Sequence, residues 1–153
     1  MGTRYEGTRK EKQALDSFIK LIRAAQSVSG RVEAHLTDIG LTVSQFGALE
    51  ALFHLGPLNQ KTLAAKILKS SGNITMVVDN LEKRGLAERI RDEDDRRNYS
   101  VRITGKGAEL IRSFFPGHVA RIMAEMGRLS RVEQEELGRL CKIVGLPTDK
   151  KNT

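Results

Sequence analysis

The most strongly patterned stretch of the chain runs from Ser70 to Gly107. Ile74, Val77, Val78 and Leu81 recur at helical spacing, so one face is apolar, while Asn73, Thr75, Met76, Asp79, Asn80 and Lys83 fall on the other. Ser70 and Ser71 suit a helix N-terminus, and Gly85 stands where a glycine ends a helix. From Leu86 to Arg91 the residues alternate imperfectly, which fits a short strand better than a helix. Asp92 to Asn98 is wholly charged or amide, cannot enter a core and reads as an exposed turn. Tyr99, Val101 and Ile103 then alternate with Ser100, Arg102 and Thr104, a second strand running back. Helix, hairpin and basic tip predict a winged helix: a helix that fits the DNA major groove beside a ribbon able to reach an adjacent groove.

Upstream, Leu15, Phe18, Ile19, Ile22, Ala25, Val28 or Ser29, Val32 and Leu36 form a stripe, widened by Leu21, that predicts a long amphipathic helix from Glu11 to about Leu36. Thr37 to Val43 reads as a connector pivoting at Gly40. Ser44 is expected to cap a helix carrying Phe46, Leu49, Leu52, Phe53 and Leu55, which Gly56-Pro57 ends. Asn59 then caps a short helix with Leu63, Ala64, Ile67 and Leu68 inward and Lys61, Lys66 and Lys69 outward. With the helix that follows it, this makes a helix-turn-helix.

After the hairpin, Thr104 opens a helix with Leu110, Ile111, Phe114 and Phe115 on its apolar side. Pro116-Gly117 is expected to kink or break it before Val119, Ile122, Met123 and Met126 resume the pattern. Ser130 and Glu133 match a capping box for a last helix with Val132, Leu137, Leu140, Cys141 and Val144 on its face. The fold class is therefore mainly α with a small β-hairpin wing. The reading gives a basic tail at 1–10, long flanking helices in 11–36 and 108–146, a winged helix-turn-helix at 42–107 and a polar tail at 147–153. The flanking helices carry more apolar face than one small winged helix can cover, so a second long element or a second chain is expected against them.

Composition sharpens this in one respect. Among 153 residues the formal net charge is +7 and the isoelectric point is near 9.8, which favours a polyanionic partner. No apolar run approaches a membrane span, and the amino terminus MGTRYEGTRKEK is polar rather than signal-like. A single cysteine excludes an internal disulfide framework, and the expected location is cytoplasmic. An enzyme is not expected: there is no Gly-rich phosphate loop, no nucleophile elbow and no carboxylate pair placed for chemistry. The run Asp92, Asp94 and Asp95, set among Arg91, Arg96 and Arg97, reads as turn structure.

The helix Asn73-Ile74-Thr75 through Asp79-Asn80-Leu81-Glu82-Lys83-Arg84-Gly85-Leu86 is followed by Asp95-Arg96-Arg97, then Ile103-Thr104 and Gly107. With Leu63-Ala64 upstream, this combination resembles the multiple antibiotic resistance regulator (MarR) family of bacterial transcription factors. The order of flanking helices, one long before the winged helix and two after, extends the resemblance to nearly the whole chain. It implies a homodimer held by the terminal helices of both chains, so that 11–36 and 108–146 become a dimerisation region. The implied partner is double-stranded DNA with an inverted-repeat operator, and the implied role is repression released by a small effector, often aromatic or phenolic. The resemblance further implies that Arg97 enters the minor groove with Asp95 holding it and Arg96 beside it, where a narrow groove concentrates negative potential. Met76 departs from the family, many members of which carry a polar or basic residue there.

Candidate residues follow. Asn73, Thr75 and Asn80 can hydrogen-bond base edges, and Met76 can touch a thymine methyl. Lys61, Lys69, Ser71, Lys83 and Arg84 are placed for the DNA backbone, although a lysine in such a position is as often an ordinary solvated charge. His35, Leu36, Phe46 and Phe53 could line an effector pocket, but as core and hinge residues they need no ligand. His35, His54 and His118 show no strong metal-ligand spacing, so neither a metal nor a cofactor is expected. Cys141 reads as a buried packing residue, with an oxidation sensor as the alternative. The other alternative is a winged helix that binds protein or RNA.

Overall fold

The computed structural model describes residues 4–67, 71–95 and 97–146, the side chains of 71 and 72 excepted. Helix α1, Arg9–Glu33, starts from a capping box in which Thr8 and Glu11 satisfy each other's backbone amides. It passes through Gly30 and tightens into a 3-10 turn at Ala34–Ile39, which Gly40 closes with φ 62°. The connector expected from Thr37 is thus partly helical. Helix α2, Val43–Leu55, is capped by Thr42 in a box with Gln45, not by Ser44. The pair Thr42–Gln45 satisfies amides in both directions, and Ser44 falls inside the first turn. Gly56 (φ 79°) and Pro57 end α2 where the sequence says they should.

A two-residue strand β1, Leu58–Asn59, is too short to show any alternation and was invisible in the sequence. It leads into α3, Gln60–Lys66, whose N-cap Asn59 accepts a hydrogen bond from the Thr62 amide at 2.8 Å. Helix α4, Ser71–Lys83, ends at Gly85 (φ 67°). Strands β2, Ala87–Arg91, and β3, Tyr99–Ile103, pair antiparallel from Ala87 opposite Ile103 to Arg91 opposite Tyr99. β1 pairs on the far edge of β3, so the expected hairpin is a three-stranded sheet in the order β1-β3-β2.

Helix α5, Gly105–Met126, is capped by Thr104 and is continuous through Pro116, so of the expected kink or break the break does not occur. Proline costs a helix one backbone bond, and the carbonyl it deprives, that of Arg112, belongs to an exposed residue. Gly107 has a separate reason: a β-carbon there would collide with the Leu86 carbonyl oxygen and the Ile103 side chain. Helix α6, Arg131–Gly145, opens on the expected Ser130–Glu133 box.

The core lies almost wholly in the winged helix. Leu49, Leu52, Leu63, Ile74, Val78, Leu81, Leu86, Val101 and Ile111 are fully enclosed, joined by Leu36, Leu41 and Phe46. The flanking helices contrast with this. Phe18 is 61 % exposed, Met123 68 % and Val132 74 %, and α6 buries no residue at all. Cys141, expected in a packed interior, is exposed in the single chain, because the face it shares with Leu137, Leu140 and Val144 is left uncovered by the described residues. The tail expected at 147–153 lies outside the described residues.

Candidate nucleic-acid interface

The α4 periodicity does what the sequence predicts. Ile74, Val77, Val78 and Leu81 are buried, while Asn73, Thr75, Met76 and Lys83 are exposed and Asp79 and Asn80 are half-buried at the margin. Met76 stands out at 65 % exposure. Asn73, Met76 and Asn80 border a groove whose other wall is Thr42, Ser44 and Gln45 from the first turn of α2. That wall was not legible in the sequence, because nothing local says which helix start lies beside α4. Lys69 lies outside the described residues, as does the side chain of Ser71.

The turn at the wing tip is built by its acidic residues. The Asp92 carboxylate accepts from the Asp94 amide at 3.0 Å. Asp95 accepts from the Arg97 amide at 3.0 Å and from the Asn98 side-chain amide at 3.1 Å. Asp95 therefore holds Arg97 through its backbone amide. Arg97 is exposed and shares a groove between α3 and the wing with Lys61, Asn59, Asp92 and Tyr99. Arg96 lies outside the described residues. On the neighbouring register, Arg91 lies over the Tyr99 ring at 5.6 Å.

Two arginines read differently in three dimensions. Arg84, expected on the DNA backbone, donates to the Gly40 and Ile39 carbonyls at 2.8 and 2.9 Å and so straps the end of α4 to the 3-10 turn. Lys106 reinforces the strap by donating to the Arg84 carbonyl at 2.9 Å. That is a structural task the sequence did not announce, and it commits two of the guanidinium's donors. Arg89, read in the sequence only as a strand residue, binds α3 and α4 at once. Its guanidinium meets Glu82 at 2.6 Å, Asp79 at 2.7 Å and the Gln60 side chain at 2.9 Å.

The residues expected to line an effector pocket are only partly brought together. His35 stacks on Phe114 at 4.7 Å and on His118 at 5.4 Å, and Phe46 meets the same two rings at 5.6 and 4.8 Å. Leu36 is core. Phe53 stands apart, against His54 at 5.1 Å and beneath Arg112 at 5.8 Å. Phe114 and His118, which the sequence reading left out of the set, complete the cluster from α5. Their spacing of four on a helix with an apolar face was the available signal. His35 and His118 are each 7 % exposed, and both ring nitrogens of His35 and Nδ1 of His118 find no hydrogen-bond partner among the described residues. Burial pushes the His118 imidazole below its usual range, opposed by the Glu50 charge and assisted by His35. Close by, Arg31 of α1 grips Glu125 of α5 through paired bonds of 2.9 and 2.8 Å and holds that carboxyl below the usual range.

Among the described residues no helix is long and apolar enough to cross a membrane, and no group of three or more His, Cys, Asp or Glu could hold a metal ion.

Comparison with known proteins agrees with this geometry. The MarR family model matches residues 41–99. The helix-turn-helix-type transcriptional regulator MhqR of Bacillus subtilis is 38% identical over 135 residues, covering 88% of this chain and 93% of its own. YkoM of the same organism, described as an uncharacterized helix-turn-helix-type transcriptional regulator, is 32% identical over 135 residues, covering 88% of each chain. Among solved structures, the MarR-family regulator Sco3205 of Streptomyces coelicolor, in complex with DNA, superposes with a TM-score of 0.82 at 25% identity, covering 96% of this chain and 94% of that one. A relative matched over nearly its whole length, together with the family match on the winged helix itself, places the chain in the MarR family of transcriptional regulators.

Proposed function

We propose that this chain is a sequence-specific, duplex-DNA-binding transcriptional regulator of the cytoplasm that acts as a homodimer and is released from its operator by a small effector. The observation that carries the reading is the exposed face of α4, with polar Asn73 and Thr75 beside apolar Met76, next to a wing that presents Arg97 on a hydrogen-bonded turn. Asn73, Thr75, Met76 and Asn80 are assigned to base edges. Lys61, Lys69, Ser71 and Lys83 are assigned to phosphates, and Arg96 and Arg97 to the minor groove. That Sco3205, which shares this fold, was solved in complex with DNA supports duplex binding. The unpartnered faces of α1, α5 and α6 support a dimer, whose two-fold axis would set the recognition helices about one DNA turn, roughly 34 Å, apart. In that dimer Cys141 lies within a covered apolar face, which favours packing over oxidant sensing.

The effector is assigned to the junction where His35, Phe46, Phe114 and His118 meet, between the flanking helices and the winged helix. Stacking rings and unpartnered imidazole nitrogens suit a small aromatic molecule with a hydrogen-bonding group. The test is selection of duplexes from a random-sequence pool by the purified protein. An enriched inverted repeat, bound with a steep salt dependence, is the expected result. Preference for single-stranded RNA, or no enrichment from the pool, would overturn the reading.

A further inference from the structure

Resting on the DNA-binding reading above, the geometry points to Arg89 as the residue that positions the recognition helix for base reading, without itself touching DNA. Three elements of the DNA-binding domain, β2, α3 and α4, meet at this side chain. From β2, its Nη1 lies 2.7 Å from Asp79 and 2.6 Å from Glu82, successive inner turns of α4. Its Nη2 donates to the Thr75 carbonyl at 3.3 Å, at the amino-terminal end of the same helix. Its Nε donates to the Gln60 side chain at 2.9 Å, in the first turn of α3. The Arg89 amide donates to the other oxygen of Glu82 at 2.8 Å, so strand and helix are tied twice. Through the ladder, Arg89 stands opposite Val101 of β3, which is fully enclosed.

A planar guanidinium can hold these partners together, since its donors lie in a fixed fork. The side chain is only 19 % exposed, so its donors are turned inward and committed, unlike those of Arg97. Positive charge on the DNA-facing domain would ordinarily be assigned to phosphates. Here two carboxylates, a carboxamide and a carbonyl already satisfy it. The consequence for recognition is geometric. Asn73, Thr75 and Met76 reach base edges only if the helix is held at one angle to the wing, and a misplacement of about 1 Å loses paired hydrogen bonds. Arg89 fixes that angle, because the carbonyl it holds belongs to a base-reading residue and the carboxylates it holds sit one and two turns further on.

Positioning and phosphate contact are separable by experiment. Duplex selected by the wild-type protein from a random pool, and a scrambled duplex, are titrated with wild type, Arg89→Gln and Glu82→Ala over a salt series, with thermal melting of each variant. If the wild type selects no duplex, the DNA reading fails before Arg89 is reached. With a selected duplex in hand, Arg89→Gln is expected to lose about tenfold or more in affinity for it and little for the scrambled one. Its salt slope should stay at the wild-type value, because no counterion-releasing contact is lost. A slope reduced by about one with selectivity intact would mean a direct phosphate contact and overturn the proposal. So would unchanged affinity. Glu82→Ala keeps the test decisive if Arg89→Gln does not fold. Removing a negative charge should tighten DNA binding by simple electrostatics, whereas loss of positioning weakens binding to the selected duplex. Equal or tighter binding by Glu82→Ala would overturn the assignment.

Discussion

A single arginine at the wing tip makes the first prediction. Arg97 is exposed, and its backbone is held by Asp95, so Arg97→Ala should leave the fold and assembly unchanged. Affinity for operator should fall about tenfold, roughly 1.4 kcal/mol, with the largest loss where the flanks are A·T-rich and the minor groove narrow. Fluorescence anisotropy on duplexes with A·T and G·C flanks measures both. Asn73 and Lys83 make a contrasting pair at opposite ends of α4. Asn73→Ala should narrow the gap between operator and mutated operator by about 1–3 kcal/mol, the value of a bidentate base contact. Lys83→Ala should weaken both duplexes alike and lower the salt slope by about one. Selectivity retained in Asn73→Ala would pass base reading to Thr75, Met76 and Asn80. Arg84 and Arg89 gained their meaning only in the structure: Arg84 bonds carbonyls 44 and 45 residues away and Arg89 reaches Gln60 29 residues away, and neither spacing nor charge reveals such bonds.

At the scale of elements, what repeats locally was legible and what depends on neighbours was not. The apolar stripe of α4, the Asn59, Thr104 and Ser130 caps and the glycine stops at Gly56 and Gly85 follow from residues within a turn of each other. β1 exists only because β3 offers it an edge, and Pro116 stays within α5 because its lost bond falls on an exposed turn. Of the candidate site, the reading face and wing tip were legible because exposure follows periodicity. The ring cluster was half legible, since Phe114 and His118 reach His35 only through packing of α5 on the 3-10 turn. That packing carries a pH prediction. His118 is buried with its imidazole below the ordinary value near 6.5, so the unfolded chain takes up protons that the native chain resists. Stability is therefore complete above about pH 7.5 and declines as pH falls through the unfolded value. Thermal melting between pH 7.5 and 5.5 should show a shallower decline in His118→Phe than in the wild type. Identical slopes would mean that another group carries the acid sensitivity.

For the whole molecule, the partition of burial decides behaviour. The winged helix holds a closed core, while α1, the distal half of α5 and α6 present Phe18, Ile22, Met123, Val132 and Val144 outward. Phe18→Glu should disrupt self-association, since it sets a charge on the face offered to the second chain. Sedimentation velocity should show a shift toward monomer, circular dichroism should show the winged helix still folded, and operator affinity should fall by more than tenfold because one recognition helix must bind alone. A variant that remains fully dimeric would move the interface off α1.

The exposed apolar face of α6 has a bearing on gene control. If two chains must meet before either set of flanking helices has a partner, dimer abundance in dilute conditions rises with the square of chain abundance. Occupancy of an inverted repeat then responds to expression level more sharply than a one-chain reader could. Halving synthesis would cut the operator-competent species about fourfold in that regime. Dosage sensitivity of this kind would follow from the apolar surface that α6 leaves bare, not from the residues assigned to DNA.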